Sequence, residues 1–416
     1  MGAFALNAPD TDDRRPATFN FVAVVLPRPT LRENLRALPR ETWILFVGVF
    51  INRFGTFVMP FLAIYLTRRG YGLAAAGAAV SAYGGGHAVA SMLGGHLADR
   101  IGRRNTIVMS MFASSIAMAA LSQARAYPAI MLLTFIAGAM AEMYRPAATA
   151  LIGDLVKPEQ RIAAFGMYRW CINLGFAAGP ATAGFLANRS FLLVFLGDAA
   201  TSLVFGIIAL ALLPHGLRVS MKEEQTGEAF RHALRNHRFV LFLLATLCVT
   251  WIEFQLHSTF PLYIQLLGFS MTTYGLLLSL NGVMIVLFEL GLTTWTQQFK
   301  PQRIIALGYG LAAIGIAMTG LAHSLMQLAG TVVVWTLGEM VYAPVTGAYV
   351  TSLAPERYRG RYSGMWMLMW SLGMLLGPYF GTLIFQRNAT LLWGTCAVVG
   401  LAGAGLSLVT PREQGG

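Results

Sequence analysis

Apolar residues fill this chain in long blocks, not in the one-sided stripe of a surface helix. Trp43 to Leu66 and Phe191 to Leu213 are two such blocks. Each exceeds the ~20 residues that a helix rising ~1.5 Å per residue needs to cross ~30 Å of hydrocarbon. Lipid offers the backbone no hydrogen-bonding partner, so these blocks must satisfy their own N–H and C=O groups as helices. The pattern predicts an all-α membrane protein with twelve spans, at 43–66, 74–95, 106–124, 129–156, 162–187, 191–213, 239–267, 274–296, 304–322, 325–353, 362–385 and 390–409.

The residues that punctuate the blocks recur at an offset of 198 positions. Tyr144, Pro146, Gly166, Gly175, Gly179 and Pro180 return as Tyr342, Pro344, Gly364, Gly373, Gly377 and Pro378. Pro158-Glu159 and Pro355-Glu356 match with a slip of one, and Gly77 and Gly84 correspond to Gly275 and Gly282. A repeat of this length predicts two parallel six-helix bundles. The expected organisation is an N-terminal cytoplasmic segment (1–42), a first bundle (43–213), a cytoplasmic linker (214–238), a second bundle (239–410) and a short tail (411–416). The stretch before the first span and the end of the linker read as amphipathic helices on the membrane surface.

Composition agrees with this picture. Of the 416 residues 56% are hydrophobic and 12% charged, against about 25% charged in a soluble domain. The net charge of +12 would suggest nucleic acid were it not for its placement. With both termini assigned to the cytoplasm, 22 of the 30 Lys and Arg residues fall in cytoplasmic segments. Five (Arg68, Arg69, Arg125, Arg189 and Arg387) fall in outer loops, and three (Arg53, Arg145 and Arg169) fall inside spans. This is the positive-inside asymmetry. It predicts a multi-pass protein of the inner (plasma) membrane whose excess charge sets orientation and contacts anionic lipid, not nucleic acid. The aspartates at 10, 12 and 13 and the late, short apolar run at 19–26 speak against a cleaved signal. Cys171, Cys248 and Cys396 lie inside apolar blocks, where they read as packing residues and not as a disulfide or metal framework.

Between the second and third spans stands Gly95-His96-Leu97-Ala98-Asp99-Arg100-Ile101-Gly102-Arg103-Arg104. It resembles the signature loop of the major facilitator superfamily of secondary transporters. Gly95 should let two helices approach and Gly102 should permit a tight turn. Asp99 can accept from a helix N-terminus or an arginine, while Arg100, Arg103 and Arg104 should hold the loop at the headgroups. The resemblance implies that this loop latches the two halves in the outward-facing state. The second half carries a decayed copy, with Gln297 opposite Asp99 and Lys300 opposite Gly102. In the fifth span, Gly175, Gly179 and Pro180 resemble the Gly-Pro motif of drug/proton antiporters, and Gly377 and Pro378 repeat it in the eleventh. Such residues bend a helix and let its neighbour come close. The motif's usual glycine at position 183 is Ala183, and Thr134 stands where an arginine is usual in the fourth span. Asn52-Arg53-Phe54, Ile172 to Gly175 and Leu337-Gly338-Glu339 with Pro344 resemble fragments of proton-coupled oligopeptide transporters. Here Asn52 replaces that family's glutamate, and Arg145 stands in place of its fourth-span lysine.

Ionisable groups at membrane depth are costly and point to function. Arg53 lies in the first span, Glu142 and Arg145 in the fourth, Glu253 and His257 in the seventh, and Glu339 in the tenth. In the superfamily these four spans line the central cavity. Glu142 and Arg145 stand at i and i+3, and Glu253 and His257 at i and i+4, so each pair shares a helix face. Glu142, Glu253, Glu339 and His257 are the expected proton-coupling groups. Arg53, Arg145, Tyr144, Tyr342, Asn52 and Gln255 are the expected substrate-cavity groups. Arg169 and Asn173, Asp198 and Glu289 lie on other spans, where packing or gating is expected.

The reading that follows is a proton-coupled secondary transporter working by alternating access, exporting small amphiphilic or drug-like compounds. The proton gradient is its energy source, with no cofactor or metal, and it is expected to act as a monomer. Two alternatives stand beside it: uptake of a peptide or other zwitterion, with Arg53 on its carboxylate and Glu339 on its amine, and a non-transporting membrane sensor. No nucleophile–base pair, metal cluster or P-loop points to an enzyme or to ATP.

Overall fold

The computed structural model describes residues 35–157, 160–215, 226–296, 298–355 and 358–409. The described residues are helical, with no strand among them. The first half comprises α1 (Arg40–Phe54), α2 (Val58–Arg68), α3 (Leu73–Ile101), α4 (Arg103–Gln123), α5 (Tyr127–Leu155), α6 (Arg161–Arg189) and α7 (Phe191–Leu212). A short helix, α8 (Thr226–Arg235), ends the connection between the halves. The second half comprises α9 (His237–Glu253), α10 (Thr259–Leu266), α11 (Met271–Thr296), α12 (Pro301–Met318), α13 (Leu325–Leu353), α14 (Arg359–Arg387) and α15 (Ala389–Leu408). Residues 31–34 of the predicted surface helix at 31–40, the linker at 216–225, Gln297, and the repeat residues Pro158, Glu159 and Glu356 lie outside the described residues.

Among the described residues, ten stretches are long and apolar enough to cross a membrane. α3 and α6 are just as long, at 29 residues, but do not reach that apolarity. Both are rich in Gly and Ala, which pack closely but add little hydrophobicity. They also make the main contacts with the other half: α3 packs on α14, and α6 on α11. Within each half the neighbours repeat. α1 sits on α6 and α7 as α9 sits on α14 and α15, and α3 sits on α5 as α11 sits on α13.

Two predicted spans are broken. The first is interrupted at Gly55 to Phe57, between α1 and α2. Asp198 Oδ2 accepts from the backbone N–H groups of Phe57 and Val58, each at 3.1 Å, and so caps the new helix start. The seventh is interrupted by a 3-10 turn at Phe254–His257. There the side chain of Gln255 reaches the Gly377 carbonyl of α14 at 3.0 Å and accepts from Thr259 at 3.0 Å.

The halves are joined at one end and parted at the other. At the end distal to both termini, one continuous apolar core takes residues from both halves, with Phe61 of α2 against Tyr274 of α11 at 5.1 Å. At the end where the chain enters α1 and leaves α15, each half has a core of its own, one around Tyr144 and Phe205, the other around Phe239 and Tyr342. Prolines inside α6 and α14 mark the join. The N–H of Ala181, just after Pro180, donates to Ser279 Oγ of the second half at 3.0 Å. The N–H of Tyr379, just after Pro378, donates to Ser81 Oγ of the first half at 3.0 Å. Ser81 and Ser279 are themselves 198 residues apart, so these bonds are repeat-related.

Candidate functional site

A cavity of ≈ 770 Å³ opens between the halves at the terminal end, walled by α3, α5, α8 and α14. Glu142 and Arg145 stand on its first-half wall and Arg361 on its second-half wall. Phe230, Met365 and Leu368 supply apolar surface.

The i, i+3 spacing on α5 brings Glu142 and Arg145 together at 3.2 Å. Arg53 reaches the same carboxylate from behind, its Nη1 and Nη2 donating to Oε1 and Oε2 at 2.8 and 3.1 Å. Arg53 Nε donates to the Tyr144 hydroxyl at 3.1 Å. Arg53 and Glu142 are both buried, at 5% and 8% exposure. Two arginines thus share one carboxylate, which leaves a surplus positive charge on the first-half wall.

The sequence reading missed His87. Its Nε2 lies 3.7 Å from Glu142 Oε2, and its Nδ1 lies 3.1 Å from Ser371 Oγ on α14. It therefore links the charge cluster to the opposite half at the cavity wall. The signal was present: His87 is an ionisable residue inside a predicted span, the same criterion that singled out Glu142.

The second half arranges its charges differently. The Tyr342 hydroxyl donates to Glu253 Oε1. Asn281 Nδ2 donates to Glu339 Oε2 at 2.9 Å. Among the described residues, neither carboxylate has an arginine, lysine or histidine within ion-pair distance. His257 does not complete the expected pair with Glu253. The helix ends at Glu253, His257 continues into the 3-10 turn, and its buried Nδ1 has no hydrogen-bond partner.

Several expected cavity residues point elsewhere. Asn52 turns into the first half, towards Met111 Sδ and Ser202 Oγ at 3.5 Å. Gln255 is fully buried on α14. Tyr144 and Tyr342 face the cores of their own halves, in edge contact with Phe205 and Tyr309. The spacing of these four is right for the span centre, but packing against neighbouring helices turns them away from the cavity. Arg169 donates to Glu289 at 2.6 Å and Asn173 donates to the same carboxylate at 3.2 Å, tying α6 to α11 across the halves.

In the signature loop, Gly102 adopts φ +94°, a turn that a side chain would strain. Gly95 has open space where a Cβ would stand; the close approach falls to Gly94, whose Cβ would lie 2.9 Å from the Met143 carbonyl. Arg103 pairs with Asp154 of α5, and Arg104 donates to the Ala209 carbonyl of α7 at 3.3 Å. These contacts stay inside the first half, as expected where the halves are parted. At the Gly-Pro motif neighbouring helices come close. A Cβ at Gly175 would lie 2.7 Å from Arg53 Cβ, and one at Gly377 3.0 Å from the Trp251 carbonyl. The motif therefore seats α1 on α6 and α9 on α14.

Comparison with known proteins agrees with this architecture. The chain is 26% identical over 349 residues to the uncharacterized MFS-type transporter YqjV of Bacillus subtilis (strain 168), covering 82% of this chain and 85% of that one. It is 22% identical over 379 residues to the quinolone resistance protein NorA of Staphylococcus aureus (strain Mu50), covering 90% and 97%. A crystal structure of a POT family transporter in complex with a thioalcohol-conjugated peptide shares the fold with a TM-score of 0.75 at 17% identity, covering 89% and 95%. The family model of the Major Facilitator Superfamily matches residues 45–378 and 259–415. Paired halves, inter-half cavity, signature loop and profile match agree: the chain belongs to the Major Facilitator Superfamily of membrane transporters.

Proposed function

We propose that this transporter couples the movement of small amphiphilic or drug-like compounds to the proton gradient, exporting them by alternating access. The terminal end is read as cytoplasmic, in the inner membrane, so that the parted halves present an inward-open cavity. The observation that carries the coupling is the setting of Glu253 and Glu339. Each is held by a neutral donor, Tyr342 or Asn281. A carboxylate held at membrane depth with no counter-ion carries an uncompensated charge, and a proton from water neutralises it. Glu142 differs, because its charge is already matched by arginine. The resemblance to NorA, a quinolone resistance protein, supports the drug-like substrate class. The zwitterion reading loses support because Arg53, its expected carboxylate anchor, is occupied by Glu142 and Tyr144.

The test is transport in proteoliposomes with a pH dye in the lumen and compounds of each charge class outside. Protons should leave the lumen as substrate enters. Glu253→Gln and Glu339→Gln should each abolish proton-driven accumulation and leave counterflow exchange of substrate intact. Normal coupling in both variants would end the assignment.

A further inference from the structure

We infer that the cavity between the halves is a binding site for amphiphilic anions, with Arg145 and Arg361 as its anion ligands. The inference rests on the transport reading above and names the substrate class of the same cavity. Its basis is the charge that remains on the walls once internal pairs are matched. Glu142 is the one carboxylate among the described lining residues. Both of its oxygens are engaged by Arg53, and Oε2 also accepts from Arg145. A substrate ammonium entering the cavity would meet a carboxylate already shared by two guanidiniums. It would also stand beside their surplus positive charge.

An anion meets the opposite situation. Arg145 gives Glu142 a single N–H at 3.2 Å, while its side chain remains 38% exposed. A guanidinium has five donors in a rigid fork, so Arg145 retains donors for a carboxylate, sulfonate or phosphate group. Arg361 faces the cavity from α14, is exposed, and makes no ion pair among the described residues. The two arginines stand on opposite halves, so each of the parted walls offers a cationic group to an anion in the cavity. Next to them, Phe230, Met365, Met367 and Leu368 offer an apolar, adaptable surface for a hydrophobic body. The cavity volume lies within the range of small-molecule sites, about 300–1,000 Å³. A zwitterion fits less well than a simple anion, because its ammonium finds no free carboxylate on these walls.

The probes are a charge series on one aromatic body: naphthalene-1-sulfonate, 1-naphthylmethanol and 1-naphthylmethylammonium. Binding to the purified full chain in neutral detergent is measured by equilibrium dialysis, and transport in proteoliposomes. The sulfonate should bind at least tenfold more tightly than the ammonium and should be the one carried. Arg361→Gln, at an exposed position, should weaken sulfonate binding by about tenfold, and Arg361→Glu should narrow or reverse the preference for the anion. Arg361→Lys should retain most of it. Ammonium or alcohol bound as tightly as sulfonate, with Arg361→Glu unchanged, would overturn the anion assignment. Transport of the ammonium or alcohol alone would overturn it too while leaving the transporter reading intact. Loss of proton-coupled flux for every member of the series would remove both.

Discussion

At the scale of single residues, the first-half charge cluster bears on stability. Arg53 and Glu142 are buried together, and a buried pair stabilises little by itself but is costly to break. Arg53→Ala should leave Glu142 with one remaining arginine and lower stability by about 3 kcal/mol, read as a drop in the thermal unfolding temperature in detergent. The double variant Arg53→Met with Glu142→Leu should recover part of that loss, since it removes both charges. Equal unfolding of wild type and Arg53→Ala would show that the pair is not under tension from burial. His87 belongs to the same scale. It touches Glu142 in one half and Ser371 in the other, so His87→Phe should change substrate flux while leaving the unfolding temperature within a few degrees.

At the scale of helices, the breaks and the proline sites are where the two halves differ or agree. The break between α1 and α2 depends on Asp198, which takes two orphan N–H groups. Asp198→Ala should cost about 1–2 kcal/mol, as loss of a helix cap does, and Asp198→Asn, which keeps an acceptor, should cost less. The second half solves its break through Gln255 and a 3-10 turn, because position 396, the repeat partner of Asp198, is Cys396. The proline sites agree instead. Ser81→Ala and Ser279→Ala each remove a bond between halves, expected at about 1 kcal/mol apiece. The bonds lie on opposite sides of the molecule, so their effects should add. A double variant no less stable than either single one would show that the two bonds are not independent.

At the scale of the whole molecule, one shared core joins the halves at the distal end and two separate cores part them at the terminal end. The helix pairs α3–α14 and α6–α11 carry most of the contact between halves. At the terminal end, Gly95 on α3 and Gly364 on α14 both have open space beside them. Rocking of the halves should bring those two positions together. With Cys171, Cys248 and Cys396 replaced, Gly95→Cys and Gly364→Cys should cross-link with a short bifunctional reagent only when substrate and a proton gradient drive turnover. Equal cross-linking in the resting and energised states would argue against closure along this seam.

Much of this was legible along the chain because the bilayer imposes its demand locally. A segment in lipid must satisfy its own backbone and present apolar side chains, so helices, repeat and signature loop could be read without knowing any neighbour. The same logic located the ionisable residues in the spans. It did not set their direction, because which face of a helix meets a cavity depends on the helices beside it. Tertiary packing turned Tyr144, Tyr342, Asn52 and Gln255 inward, brought His87 to Glu142, and placed Arg361 opposite Arg145 across a distance of 216 residues in the chain. Hydropathy is a property of each residue and its immediate neighbours, whereas a charge balance between two walls exists only once those walls stand together.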